Sequence, residues 1–170
     1  IVACGDQGCD PHNRGSGPIR PGLPIVIDIF PRSNDSLYFA DMSRTVVKGK
    51  SSAAVRRLYQ AVREGQEIGI SSIRAGVNGR SVDAKIREHF RKLGYVTERR
   101  GDKMVGYFHG TGHGVGLDIH EAPWLLERRE SRLPAGSVVT VEPGLYYPGV
   151  GGVRLEDMVA VTSSGCRNLT

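Results

Sequence analysis

The sequence predicts a single α+β domain, built from antiparallel strand hairpins with a pair of helices covering one side. Two observations favour this class. β-Branched runs separated by turns lie on both sides of a central region, and that region, residues 51–94, has apolar residues at helical spacing instead. A chain of 170 residues is long enough to bury one core, so residues 1–170 are treated as one domain.

The first hairpin is predicted from a short strand over residues 1–4 and two longer ones. Residues 23–30 are rich in isoleucine and valine, and the next strand covers residues 37–47. Asp28 interrupts the apolar run, and Asp41 lies inside the second strand. A lone buried carboxylate is costly unless it is paired, neutralised or bound to metal. If the two strands pair, Asp28 and Asp41 face the same interior.

Two helices are predicted next. The first covers residues 51–75 and begins at the potential cap Ser51, and the second begins at Ser81 and ends at Gly94. His89 lies beside the apolar stripe of the second helix, where a structural or solvated role is expected. Nothing in either helix requires chemistry, so both are interpreted as covering elements.

The last part of the chain repeats the anomaly of the first hairpin. A strand over residues 136–142 ends at Glu142, and another over residues 152–162 carries Arg154 and Glu156. One acid among apolar strand residues can form a salt bridge. Four acids on strands, two before and two after the helices, are better explained by a shared cation.

Between the helices and these strands lies a stretch rich in glycine and histidine, residues 109–121. It contains His109, His113 and His120, separated by glycines that permit tight turns and close backbone approach. Alone, this stretch fits either a ligand site or a solvated surface loop. Trp124, just after it, fits a pocket wall or core packing equally well. The carboxylates favour the site.

Composition excludes several classes of protein. The net charge is +5, but the paired arginines are not interleaved with aromatic residues, so no nucleic-acid partner is expected. Three cysteines without zinc-ribbon spacing indicate free thiols and a cytoplasmic location. No apolar run is long enough to span a bilayer, so no membrane association is expected.

The acids and one histidine form an oxygen-rich ligand set: Asp28, Asp41, His113, Glu142 and Glu156. Four carboxylates carry enough negative charge to hold two divalent ions, with some carboxylates bridging both. Such ligands suit manganese, with cobalt, zinc or iron as alternatives. Two-metal sites activate water as hydroxide, which makes hydrolysis the natural reaction.

The chain resembles the pita-bread metallopeptidases of family M24, which include methionine aminopeptidase, aminopeptidase P and prolidase. The matching segments keep their order along the chain; they are Val26-Ile27-Asp28, Ala40 to Thr45, His109 to Glu121, Val141 to Gly144 and Arg154 to Asp157. The resemblance implies the pita-bread fold, a curved antiparallel sheet covered by helices. It also implies that the first helix pair and an amino-terminal domain are missing, so we expect a fragment of a longer protein.

The resemblance further assigns roles to individual residues. Asp41 and Glu156 would bridge two metal ions, Asp28 would bind one ion, and His113 and Glu142 the other. Glu142 would also handle the proton of the attacking water. His12 and His120 would be catalytic histidines, near the scissile amide nitrogen and the tetrahedral intermediate respectively, while His109 and Arg154 would bind substrate.

His109 and the run Gly116-Leu117-Asp118-Ile119-His120 resemble aminopeptidase P and prolidase more than methionine aminopeptidase. We therefore expect an Xaa-Pro peptidase that acts through a metal-bridging hydroxide on peptides or dipeptides, and the resemblance leaves a homodimer of the full-length protein open. Three alternatives remain: a methionine aminopeptidase-like activity, a metal-free hydrolase of the creatinase kind, and an inactive pita-bread fragment that acts as a binding module.

Overall fold

Antiparallel strands dominate the computed structural model, which describes residues 1–170, and two helices lie between the first and last strands. A short 3-10 helix, Gly5–Cys9, follows the first strand. The helices are α1 (Ala53–Ser72) and α2 (Gly79–Lys92). The strands are β1 (Val2–Cys4), β2 (Pro24–Ile29), β3 (Met42–Val47), β4 (Glu98–Arg100), β5 (Lys103–Val105), β6 (Gly112–Gly114), β7 (Glu121–Leu125), β8 (Val138–Val141), β9 (Gly144–Tyr147), β10 (Gly151–Arg154), β11 (Asp157–Val161) and β12 (Cys166–Asn168).

Most of the strands belong to two sheets. The first has the order β1-β2-β3, and the second has five strands in the order β12-β11-β8-β6-β7. The hairpins β9-β10 and β4-β5 complete the set, and every paired strand is antiparallel. The α+β prediction is therefore confirmed, as is the hairpin between residues 23–30 and the following strand.

The prediction of one long strand near the end of the chain is wrong. Residues 152–162 do not form a single strand: β10 ends at Arg154 and pairs with β9, whereas β11 begins at Asp157 and pairs with β8. Between them the backbone N–H of Glu156 donates to the carbonyl of Ser43, 3.0 Å away. The chain therefore passes from the β9-β10 hairpin to the five-stranded sheet at Glu156. At this residue the backbone N–H bonds to the first hairpin instead of to β8 or β9.

Three other boundaries differ from the sequence prediction. β3 begins at Met42 rather than residue 37, since the segment before it forms only an isolated bridge between Arg32 and Phe39. The helix caps are Ser52 and Asn78, not Ser51 and Ser81. Their side chains accept hydrogen bonds from the first-turn N–H groups of Val55 and Arg80, respectively.

The core lies between the helices and the sheets, in two apolar clusters. One joins α1 and α2 to β9 and β10, with Leu58, Phe90 and Leu145 among its buried side chains. The other lies under β8 and β11 and includes Val139 and Val159. Neither helix combines the length and hydropathy that a membrane crossing requires. Packing in these two clusters holds β8, β10 and β11, the strands next to two of the acids, in fixed positions.

Candidate metal centre and substrate cleft

Three buried side chains from distant parts of the chain meet at one point. Asp41 lies just before β3, His113 is the middle residue of β6, and Glu156 lies between β10 and β11. One ligand atom from each lies within 4.8 Å of the others, and all three residues are buried. Two carboxylates and an imidazole at this separation form a donor set suited to a divalent cation.

The other two predicted ligands lie beside this group. Glu142, immediately after β8, places Oε1 3.2 Å from Nε2 of His113. Asp28, on β2, accepts a 2.7 Å hydrogen bond from Nη2 of Arg154 through Oδ2, while its buried Oδ1 has no partner. A buried carboxylate oxygen without a donor is rare in folded proteins, and its position in this group fits a cation ligand.

Strand register brings the acids of the first hairpin together. Asp28 pairs with Ser43 across β2 and β3, so Asp41, two residues before Ser43, belongs to the same face. The hydroxyl of Ser43 donates to Oε2 of Glu156 at 2.8 Å and accepts from Nε of Arg154 at 3.0 Å. Ser43 thereby connects the first hairpin to the sheet switch at Glu156, a role for which its sequence neighbours provide no signal.

The acids repel one another strongly. Burial, followed by the charges of Asp28 and Glu142, raises the pKa of Asp41 to about 7. Burial also raises the pKa of Glu156 well above its ordinary value, again with Glu142 and Asp41 contributing. His113 and Arg154 compensate only part of this negative charge, since the pKa of Asp41 stays raised despite both. The residues therefore fit divalent metal, which would supply the missing positive charge.

His113 and Glu142 behave as a hydrogen-bonded pair. Burial alone would lower the pKa of His113, but the hydrogen bond and the charge of Glu142, together with Gly114 and Asp41, raise that pKa. Burial would raise the pKa of Glu142, but His113, His109 and Arg154 together lower it. Nδ1 of His113 lies 3.0 Å from the carbonyl of Gly114, which leaves Nε2 directed toward the acids.

Glycines on both sides of His113 let β6 approach its neighbours closely. A Cβ atom at Gly112 would overlap the carbonyl oxygen of Thr140, and one at Gly114 would overlap that of Ala122. Any larger residue would push β6 away from β7 and β8. The glycines of residues 109–121 thus position His113 through backbone proximity, as the sequence indicates.

His109 lies outside the metal-ligand group and contacts a tyrosine that sequence reasoning missed. Its Nε2 lies 2.8 Å from the hydroxyl of Tyr146 on β9, and Nη1 of Arg154 donates to the same hydroxyl at 3.4 Å. Tyr146 is fully buried, and burial raises its pKa to about 12, so the hydroxyl stays protonated. The only signal for Tyr146 in the sequence is its position four residues after Glu142.

All nine predicted site residues line one cleft of about 870 Å³; they are His12, Asp28, Asp41, His109, His113, His120, Glu142, Arg154 and Glu156. His120 packs edge-on against His113, with ring centroids 4.4 Å apart, and burial lowers the pKa of His120. Phe30, Phe108 and Trp124 add apolar walls. Trp124 is therefore a cleft residue, which decides the alternative that the sequence leaves open.

Comparison with known proteins agrees with this arrangement. The model of metallopeptidase family M24 matches residues 1–163. The chain is 37% identical to an Xaa-Pro dipeptidase of Pyrococcus furiosus over 100% of its own length and 46% of that protein's. The chain therefore spans about half the length of the curated relatives it matches.

Solved structures give the same result. An X-Pro aminopeptidase of Thermotoga maritima superposes with a TM-score of 0.88 at 37% identity, over 99% of this chain and 45% of that one. An Xaa-Pro dipeptidase of Bacillus anthracis superposes with a TM-score of 0.87 at 40% identity, over 99% and 45%. The predicted pita-bread fold is thereby confirmed, and the chain belongs to metallopeptidase family M24.

Proposed function

We propose that the protein containing this chain is a metal-dependent exopeptidase that hydrolyses the amino-terminal Xaa-Pro bond of peptides or dipeptides. The convergence of Asp41, His113 and Glu156 in a buried, acidic point of the cleft carries this proposal. The relatives named Xaa-Pro dipeptidase and X-Pro aminopeptidase support the choice of substrate.

We assign two divalent ions to the centre, held by Asp28, Asp41, His113, Glu142 and Glu156, with manganese preferred because carboxylates dominate the set. When bound, the ions would supply a bridging hydroxide for attack and positive charge for the developing oxyanion. Glu142 is poised to take up the proton from the attacking water, because its lowered pKa keeps it ionised at neutral pH.

The remaining cleft residues bind and orient the substrate. The pKa of His109 is lowered, chiefly by burial, so its imidazole is neutral. Nδ1 lies 2.8 Å from the carbonyl of Gly110, so we propose that a peptide group of the substrate binds at Nε2 in place of the Tyr146 hydroxyl. We propose that His120, beside His113, stabilises the tetrahedral intermediate, and that His12, in the loop before β2, acts near the scissile nitrogen. Arg154 is 3% exposed, so we propose that it acts on the substrate mainly by fixing Asp28 and Tyr146.

The proposal extends to the partners and the location of the protein. We propose peptides as the only partner besides a second copy of the full-length protein, with no nucleic acid or membrane. The cytoplasm is the proposed location, since Cys4, Cys9 and Cys166 are all free thiols.

The test is a substrate comparison with the full-length protein that carries this chain. Loaded with manganese, it is expected to cleave Xaa-Pro peptides at least about tenfold more efficiently, in kcat/KM, than matched Met-Ala peptides. A preference for Met-Ala would favour the methionine aminopeptidase alternative. Tight manganese binding without any cleavage would favour the binding-module alternative instead.

Metal-free protein is expected to lose stability as pH rises. The carboxyl of Asp41 ordinarily has a pKa of 3.8 and reaches about 7 in the folded state, so between these values the folded state binds more protons than the unfolded state. The contribution of Asp41 to stability is therefore highest below the lower value and falls through the upper one. Thermal unfolding at a series of pH values, without metal, measures this slope.

Manganese should reverse the trend, because it binds the ionised carboxylates. At about pH 7.5 saturating metal is expected to add roughly 2.7 kcal/mol when its free concentration exceeds Kd about a hundredfold, and less at about pH 5. Asp41→Asn serves as the control, since it removes the titrating group. Equal metal stabilisation at both pH values in the parent protein would contradict the prediction.

A further inference from the structure

Helix α2 carries a carboxylate that is completely buried, although its sequence pattern predicts only a covering role for this helix. Asp83 is 0% exposed and lies on the side of α2 that faces the histidine-rich stretch. Oδ1 accepts hydrogen bonds from the hydroxyls of Thr111 at 2.8 Å and Tyr107 at 3.1 Å. Oδ2 accepts from Nε of Arg87 at 2.6 Å. Every donor thus comes from α2 itself or from residues 107–111.

Arg87 extends the contact to the backbone of the same segment. Its Nη1 donates to the carbonyl of Tyr107 at 3.0 Å, and its Nη2 donates to the carbonyl of His109 at 2.7 Å. The guanidinium carbon lies 4.6 Å from the centre of the Tyr107 ring. A planar guanidinium can make these contacts at once, whereas a lysine ammonium in the same place cannot.

These contacts fix the backbone on both sides of the His109 side chain. Arg87 holds the carbonyls of Tyr107 and His109, and the N–H of Thr111 donates to the carbonyl of Leu125 at 2.8 Å. The imidazole of His109 then lies against the edge of the Tyr107 ring, with centroids 5.3 Å apart, and reaches Tyr146. The direction of His109 in the cleft is set from outside the cleft.

We propose that Asp83 and Arg87 are positioning residues for substrate binding, which act by holding His109 in the orientation that meets the peptide. This inference rests on the proposed peptidase function. A helix-stabilising ion pair four residues apart would work equally well in solvent. Burying Asp83 completely is costly. Nη1 and Nη2 of Arg87 both donate to carbonyls of residues 107–111. We therefore attribute the burial of this ion pair to the fixed conformation that it gives this segment.

The experiment is a double-mutant cycle in the full-length, metal-loaded protein. Arg87→Lys keeps the charge beside Asp83 but loses the carbonyl hydrogen bonds, and is expected to raise KM for an Xaa-Pro peptide about tenfold, with kcat changed less than about twofold. In a His109→Ala background the same substitution should leave KM unchanged, because its effect passes through His109. If Arg87→Lys raised KM by the same factor in the parent and in the His109→Ala background, the inference would be overturned.

Arg91→Lys is the matched control. Arg91 lies one turn further along α2, is exposed, and pairs only with Glu88. This variant should keep the parent KM and kcat. If Arg87→Lys does not fold, Asp83→Asn replaces it in the same cycle, since the amide still accepts from Arg87 but without charge. If kcat fell in proportion to the loss of thermal stability while KM stayed unchanged, the role of Asp83 and Arg87 would be structural only.

A second readout does not depend on activity. The ring-nitrogen signals of His109 in a ¹⁵N-histidine-labelled sample, assigned by their loss in His109→Ala, should shift in Arg87→Lys and not in Arg91→Lys. Unshifted signals in Arg87→Lys would overturn the positioning role. If the parent protein cleaves no Xaa-Pro peptide with any divalent metal, the proposed function fails, whereas the histidine spectra still decide whether Arg87 holds His109.

Discussion

Glu156→Gln is expected to lower kcat roughly a thousandfold, or about 4 kcal/mol of transition-state stabilisation. Glu156 is 2% exposed and lies with Asp41 and His113 at the point where the three donor atoms converge. The amide keeps the size of the side chain and can still accept from Ser43, but it lacks the negative charge that would hold a divalent cation. Steady-state hydrolysis of an Xaa-Pro peptide measures the fall in kcat. Metal content after dialysis measures the loss of bound metal that should accompany it.

Stability separates a metal ligand from a structural acid. The pKa of Glu156 is raised by burial and by the neighbouring acids, so the carboxylate is unfavourable in the metal-free fold. Metal-free Glu156→Gln should therefore be at least as stable as the metal-free parent, although it is far less active. The control is Glu130→Gln at a side chain that is 76% exposed, where activity should not change. A metal-free variant that unfolds well below the parent would contradict this assignment.

The site is predictable because its chemistry conflicts with its surroundings in the sequence. A carboxylate such as Asp28 between two isoleucines violates the pattern of a buried strand, and such violations concentrate at functional sites. A single conflict of this kind can also mark a salt bridge, as at Asp157 with Arg44, so it is the set of four acids that indicates the site. The family resemblance then supplies what spacing cannot, namely the roles of the other two histidines in residues 109–121.

The residues that support the site are not predictable in this way. Ser43, Tyr146 and Asp83 are ordinary for their elements, and their roles come from partners that are 113, 37 and 28 residues away in sequence, respectively. Periodicity reports which face a residue occupies, not what lies opposite it in another sheet. The break at Glu156 is missed for the same reason, because a run of residues typical of strands does not reveal a change of pairing partner.

The boundaries of the helices illustrate a smaller limit. Ser51 and Ser52 are equally good caps by composition, and the helix begins after the one whose hydroxyl reaches the N–H of Val55. Asn78 is preferred over Ser81 because its side-chain oxygen also accepts from the N–H of Ser131, which ties the start of α2 to the loop before β8. Tertiary contacts therefore select among locally equivalent caps.

Glu142→Gln is expected to lower kcat by about a hundredfold to ten-thousandfold, the range for loss of a general acid–base group. Although burial would raise its pKa, His113, His109 and Arg154 keep Glu142 ionised, so it is ready to accept a proton at neutral pH. Glutamine preserves the shape of the side chain, but it cannot take up a proton. Hydrolysis of an Xaa-Pro peptide across a pH series, with metal content measured in parallel, tests the prediction.

The two glutamates should differ in what their loss removes. Glu156 contacts Ser43 and lies with the ligand atoms of Asp41 and His113, so its substitution should abolish metal binding. Glu142 lies at the edge, 3.2 Å from His113, and its substitution should lower kcat more than it lowers bound metal. Glu67→Gln, at an exposed pair with Arg63, is the control and should match the parent. If Glu142→Gln lost metal and activity in the same proportion, Glu142 would be a ligand alone and the proton acceptor would have to be sought among the cleft histidines.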